Sequence, residues 1–116
     1  MDKIIAEKCP DVDVVVGGHS HSFLYTPTSD YPLPSNDKPV GPYPTNITQS
    51  GTNKIVPVVQ AMAFTKYLGY MNLTFDENGD LTEFEGRPIL LDHTMPQGNS
   101  RLIRKISQNC INVISI

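Results

Sequence analysis

His19 and His21 are the residues whose type and spacing best suit chemistry in this sequence. Neutral imidazole is the commonest metal ligand among side chains, and two of them in three residues raise that expectation. They can share one metal, if the chain turns after Gly18, or each can face one metal of a pair. The bland alternative is a pair of hydrogen-bonded surface histidines. Other groups carry less. Ser20 and Ser22 flank the histidines, but adjacency is not a nucleophile–base geometry, and no nucleophile elbow is present. Asp92-His93 could form an acid–base pair, although a lone loop histidine is the simpler reading. Asp11 and Asp13 read as solvated or capping groups.

The elements that must position the histidines follow from pattern. Val14-Val15-Val16 shows no alternation, so it reads as a central strand covered on both faces, as in parallel α/β sheets. Gly17 and Gly18 permit backbone angles closed to other residues, which predicts a sharp exit from the sheet. Ligands collect at the carboxyl ends of such strands, where the histidines then lie. Upstream, residues 2–8 read as an amphipathic helix with Ile4 and Ile5 on one side, stopped before Pro10.

Downstream, Ile55-Val56-Pro57-Val58-Val59 is a second strand, and Pro57 marks it as an edge or a bulge. Residues 67–76 and 81–91 form a hairpin through Asp76-Glu77-Asn78-Gly79-Asp80, where Asn78 and Gly79 both tolerate positive φ. Between Thr26 and Pro44 the composition shifts: six of the ten prolines fall in residues 27–44. Proline removes donors and fixes φ, so this stretch is a surface excursion without helix or central strand, which Tyr25, Tyr31 and Tyr43 can pin to the body. A proline-rich ligand for a signalling domain is the alternative. Asn99 or Ser100 can cap a last helix, with Leu102, Ile103, Ile106, Cys110 and Val113 at helical spacing and Arg101, Arg104 and Lys105 as a solvated face. Residues 97–116 are thus a helix or a divergent tail.

Composition limits the function classes. The 116 residues suit one small domain, with 39% hydrophobic content and a modest core. A net charge of −3 without a basic block excludes nucleic acid as an expected partner. No apolar run is long enough to span a bilayer. Met1-Asp2-Lys3 runs straight into the helical pattern, which leaves no signal peptide, so the chain is expected to be a fragment. Cys9 and Cys110 are too few for a disulfide framework; they can pair in an oxidising compartment, but free thiols are the expectation. Asn46-Ile47-Thr48 and Asn72-Leu73-Thr74 are glycosylation acceptor triplets, with Asn46 and Asn72 as the candidate sites.

Gly17-Gly18-His19-Ser20-His21-Ser22-Phe23-Leu24-Tyr25-Thr26 resembles the late metal-binding segment of the 5′-nucleotidase family, the two-metal phosphoesterases that include ecto-5′-nucleotidase and secreted apyrases. Val56-Pro57-Val58-Val59-Gln60-Ala61, Phe64-Thr65-Lys66-Tyr67-Leu68-Gly69-Tyr70, Phe75-Asp76-Glu77-Asn78-Gly79 and Pro88-Ile89-Leu90-Leu91 continue the resemblance in order, over residues 11–96. It implies an α/β fold, part of a four-layer metallophosphoesterase (calcineurin-like) sandwich with a mixed β-sheet. Residues 1–96 would be the C-terminal part of that catalytic domain. It further implies two divalent metal ions, zinc by expectation, and a nucleotide substrate for an extracellular or cell-surface parent. The implied activity is hydrolysis of nucleoside 5′-monophosphates; an apyrase, a nucleotide-sugar hydrolase or a non-catalytic product are the alternatives. His19 matches the family's GGHS histidine, a metal ligand, and His21 a variable position facing the other metal. The early Asp-x-His pair, the bridging aspartate, the Asn-His-Asp segment and the base-stacking C-terminal domain have no counterpart here.

Overall fold

The structure, a computed structural model, describes residues 1–94 and the backbone of residues 110–115. Helix α1 (Asp2–Lys8) stops at Cys9, which is extended at φ −100° and ψ 105°. The residue preceding a proline is pushed out of the helical region, and Pro10 follows. The helix meets the sheet through Ala6, which is fully buried, while Ile4 and Ile5 stay exposed. The expected apolar side was therefore the wrong one: a small residue lets the helix lie close to the strands beneath.

Those strands are β1 (Val15–Val16), β2 (Thr45–Thr48) and β3 (Ile55–Val59), in spatial order β1-β3-β2. β1 runs parallel to β3 and β2 antiparallel to it. Two expectations are corrected here. β1 lies at an edge of the described sheet with Val16 exposed, and β3, despite its proline, is the central strand. The register explains why Pro57 is tolerated. Gly17 N donates to the Val59 carbonyl at 2.8 Å, so Val59, and with it Pro57 two residues earlier, turns its amide edge toward β1. Pairing with β1 begins only at Val58, so the missing donor of Pro57 falls beyond the end of that ladder. Val56 and Val58 pack with Ala6, Val12, Val15 and Ile47 beneath α1. Gln49, fully buried, ties the region together: its Nε2 donates to the carbonyls of Cys9 at 2.5 Å and Val12 at 3.1 Å. Cys9 itself is a free, partly buried thiol.

A second, antiparallel sheet has the order β5-β4-β6, with β4 (Tyr67–Phe75), β5 (Leu81–Leu90) and β6 (Cys110–Ser115). On β4, Tyr67, Gly69, Met71 and Leu73 are buried and alternate with half-buried neighbours, the period expected of a strand with one core face. Met71 and Leu73 join Leu24, Tyr43 and Val59 in a cluster that links the two sheets. The hairpin forms as expected, but by another turn. Gly79 alone takes positive φ, at 86°, and its N–H donates to the Asp76 carbonyl. Asp76 Oδ1 accepts from Asp80 N and Asn78 N, the first above all holding its carboxyl below the usual range. This is a tight turn closed by one left-handed glycine rather than two positive-φ residues. The helical spacing read through Cys110 and Val113 does not persist, since both lie on β6; residues 97–109 of that reading are outside the described residues.

Residues 27–44 carry no helix or strand, apart from a single bridge between Gly41 and Leu24. The segment is nonetheless moored. Tyr25 Oη donates to the carbonyls of Tyr31 and Pro32, Tyr43 Oη donates to that of Tyr70, and the Arg87 guanidinium lies 3.7 Å over the Tyr31 ring. Tyr67 Oη donates to Asp37 Oδ2 at 2.6 Å and meets Ser35 Oγ at 2.6 Å. Among the described residues, no helix is long and apolar enough to cross a membrane.

Candidate metal centre

Because β1 and β3 run parallel, the segments that leave their carboxyl ends emerge side by side. Gly17 to His21 follow β1, and Gln60 to Phe64 follow β3. Together they line one open cleft, and both His19 and His21 lie on it, exposed. Ligands in open α/β sheets gather at such a place. The structure therefore brings the two histidines to a shared region.

The backbone here is strained, though not where the glycines suggested. Neither Gly17 nor Gly18 has positive φ; His19 does, at 67°, and His21, at 53°. Across the cleft Met62 stands at 62° and Phe64 at 60°, with Thr65 next to it at 54°. Asn53, in a turn elsewhere, is the only other non-glycine residue of this kind among those described. A non-glycine residue in the left-handed region is uncommon, and a β-branched one is an outlier. Such residues concentrate at functional sites, where the surroundings over-determine them. Gly17 has a different role: a Cβ there would stand 2.1 Å from Asp2 Oδ2, so glycine allows the start of α1 to close onto the loop.

The determinant that sequence reasoning passed over is Gln60, 4% exposed. Its Oε1 accepts from Ser22 N at 2.5 Å, and its Nε2 reaches Gly18 O at 3.4 Å and Ser20 Oγ at 3.0 Å. Ser20 Oγ also meets Ser22 Oγ at 2.9 Å, so both hydroxyls are used inside the loop rather than on an imidazole. One signal did exist: a polar amide ending the apolar run Val56–Val59. Phe64, 86% exposed, meets the His21 ring edge-on with centroids 5.2 Å apart.

His93 does not join this site. Asp92 accepts from Thr94 N and Thr94 Oγ1, which holds its carboxyl below the usual range, so its bonds go to Thr94. Asp11 is exposed and Asp13 half-buried, and neither lines the cleft. Among the described residues no three His, Cys, Asp or Glu side chains gather to hold a metal ion. Two imidazoles on one cleft fit a transition metal in kind but not in number, since zinc sites use three or four protein ligands.

By class this is a mixed α/β segment, with imidazoles at the carboxyl ends of parallel strands, the place where open α/β sheets bind ligands. No protein-family model matches the chain. Individual proteins do. It is 51% identical to 5′-nucleotidase of Homo sapiens over 100 residues, 86% of this chain and 17% of that protein. Protein 5NUC of Lutzomyia longipalpis is 51% identical over 96 residues, 83% of this chain and 16% of the relative. Apyrase of Aedes aegypti is 48% identical over 95 residues, 82% and 17% respectively. The crystal structure of a 5′-nucleotidase precursor from Thermus thermophilus superposes with a TM-score of 0.68 at 36% identity, covering 78% of this chain and 17% of that one. The chain is homologous to the 5′-nucleotidase and apyrase family, and it spans about a sixth of the length of these relatives.

Proposed function

We propose that this chain supplies the late metal-binding loop to a two-metal phosphoesterase of the 5′-nucleotidase type, whose whole form hydrolyses nucleoside 5′-monophosphates to nucleoside and phosphate. The observation that carries this reading is that His19 and His21, in strained backbone, share one open cleft at the ends of two parallel strands. His19 is the first ligand assigned and His21 the second. Two divalent ions, zinc being the natural choice for imidazole donors, would supply an activated water and polarise the phosphoryl oxygens.

The chain's own residues hold the rings at the cleft: Gly17 permits the close approach of α1, and Phe64 sets an edge against His21. In the whole protein the two sheets and α1 would be layers of the larger four-layer sandwich, and the location would be extracellular or at the cell surface. An apyrase is the second reading, favoured by the 48% identity to the mosquito protein of that name. With two imidazoles at the cleft and no third His, Cys, Asp or Glu gathered with them among the described residues, the chain alone should release no phosphate from AMP above background.

The test is a chimera in which residues 11–94 replace the matching segment of a full-length 5′-nucleotidase. AMP hydrolysis should survive the exchange and fall a hundredfold or more, in order of magnitude, with His19→Ala, the scale of losing one oriented stabilising group. Comparing AMP with ADP and ATP separates the two readings. Unchanged turnover in the His19→Ala chimera would remove this residue from the site.

A further inference from the structure

Among the described residues, Gln60 is the one buried polar side chain that touches both ends of the histidine loop. Its two ends are not interchangeable. Ser22 N–H can only donate, so the atom facing it at 2.5 Å must be an acceptor; Gly18 O can only accept, so the atom facing it at 3.4 Å must be a donor. An amide offers one of each from a single planar group, whatever the pH. The same Nε2 reaches Ser20 Oγ at 3.0 Å, midway between His19 and His21. The five-residue loop from Gly18 to Ser22 is thus fastened at its first, third and fifth residues. The two left in between, His19 and His21, are the ones in the left-handed region. Each of those conformations costs free energy that a free loop would recover by relaxing. The bonds to Gln60 oppose that relaxation, together with Ser20 N–H to Gly18 O at 2.7 Å and Met62 N–H to Ser22 O at 3.1 Å.

We infer that Gln60 is the positioning residue of the metal loop: it fixes the backbone of residues 18–22 so that both imidazoles address the cleft, without itself being a ligand. The assignment rests on the metal-loop reading above. It adds that the geometry comes from β3 and is not intrinsic to the loop. Groups that orient ligands commonly matter to a metal site by about ten- to a hundredfold in affinity.

The experiment uses the 116-residue chain and four variants. Gln60→Ala removes the amide. Gln60→Glu, read at a pH high enough to ionise its carboxyl, keeps the acceptor for Ser22 N but faces Gly18 O with a lone pair. His19→Ala removes a ligand. Gln49→Ala removes the other buried glutamine, which bonds to Cys9 and Val12 and to no residue of the loop, and controls for a merely structural loss. The first readout needs no metal: φ-sensitive backbone NMR couplings at His19 and His21. Gln60→Ala should release both residues from positive φ, Gln60→Glu should release His19 more than His21, and Gln49→Ala should move neither. The second readout is zinc affinity by calorimetry. It should fall about tenfold or more in Gln60→Ala and stay unchanged in Gln49→Ala.

Retention of positive φ at both histidines in Gln60→Ala would overturn the inference, as would unchanged zinc affinity there alongside its loss in His19→Ala. If Gln60→Ala does not fold, Gln60→Glu decides by the same couplings. Absence of zinc binding by the parent chain would count against the metal reading alone, because the couplings still judge Gln60.

Discussion

Replacing His19 by glycine should stabilise the fold while deleting the imidazole proposed as a ligand. At φ 67° an L-residue carries roughly 1–2 kcal/mol of steric cost, and glycine carries none. Against this, glycine enlarges the unfolded ensemble by about 0.4–1 kcal/mol. The His19 ring is exposed, so little packing is lost with it. The balance is a gain of about 0.5–1 kcal/mol, or a rise of roughly 2–8 °C in melting temperature for a domain of this size. His21→Gly should gain less. Its φ of 53° is relieved in the same way, but the edge contact with Phe64, worth about 0.5–1.5 kcal/mol, disappears and brings the balance near zero. Asp30→Gly is the control, an exposed loop position outside the positive-φ set, and should lose about 0.4–1 kcal/mol. Thermal melts followed by circular dichroism rank the three. Were His19→Gly to melt at or below Asp30→Gly, the strain assigned to the loop would not be there.

Gly86→Ala should be costly where Gly17→Ala is mild. The new Cβ at Gly86 stands 2.2 Å from Tyr70 O, a backbone atom of central strand β4, whereas at Gly17 it meets the side chain of Asp2, which can swing away. Melts should show a loss of about 1–3 kcal/mol for the first and well under that for the second, and equal losses would contradict the packing described. Asp37 is held down to about 2, first by the Lys66 ammonium and then by the Tyr67 hydroxyl. A depressed carboxyl stabilises above its ordinary range and loses that contribution as pH falls toward about 2. The share of pepsin cuts falling in residues 27–44 rather than in the hairpin should therefore rise between about pH 4 and pH 2, and should be raised at pH 4 already in Tyr67→Phe; a constant share would refute the mooring. Secreted behind a supplied leader from an insect cell, the chain should carry glycan at Asn46, exposed on β2. Asn72, on β4 between Glu85 and Asn112, should not carry it, so Asn46→Gln and not Asn72→Gln should abolish the endoglycosidase shift.

What was legible in the sequence was what neighbouring residues decide among themselves. Residues 67–91 announce a hairpin because alternation and an Asn-Gly pair are local facts, and the arms pair as that pattern requires. Pro57 misled because its tolerance depends on where a strand forty residues away stops pairing, which no local pattern encodes. Ile4 and Ile5 misled in the same way: which side of α1 is buried was settled by how closely Ala6 lets it approach β3.

The site divides along the same line. The imidazoles could be picked out by type, but the glycine pair did not supply the special backbone angles expected of it. The strain, however, fell on the histidines and not on the glycines. Gly17 is occupied in making room for Asp2, and the amide of Gln60 fastens the residues on either side of each ring. A glycine loop would reach the same φ values without strain and would also leave them freely. Histidines held there by a buried amide from the neighbouring strand cannot relax without breaking its bonds. That coupling ties the backbone of the loop to β3 rather than leaving two flexible rings on a turn.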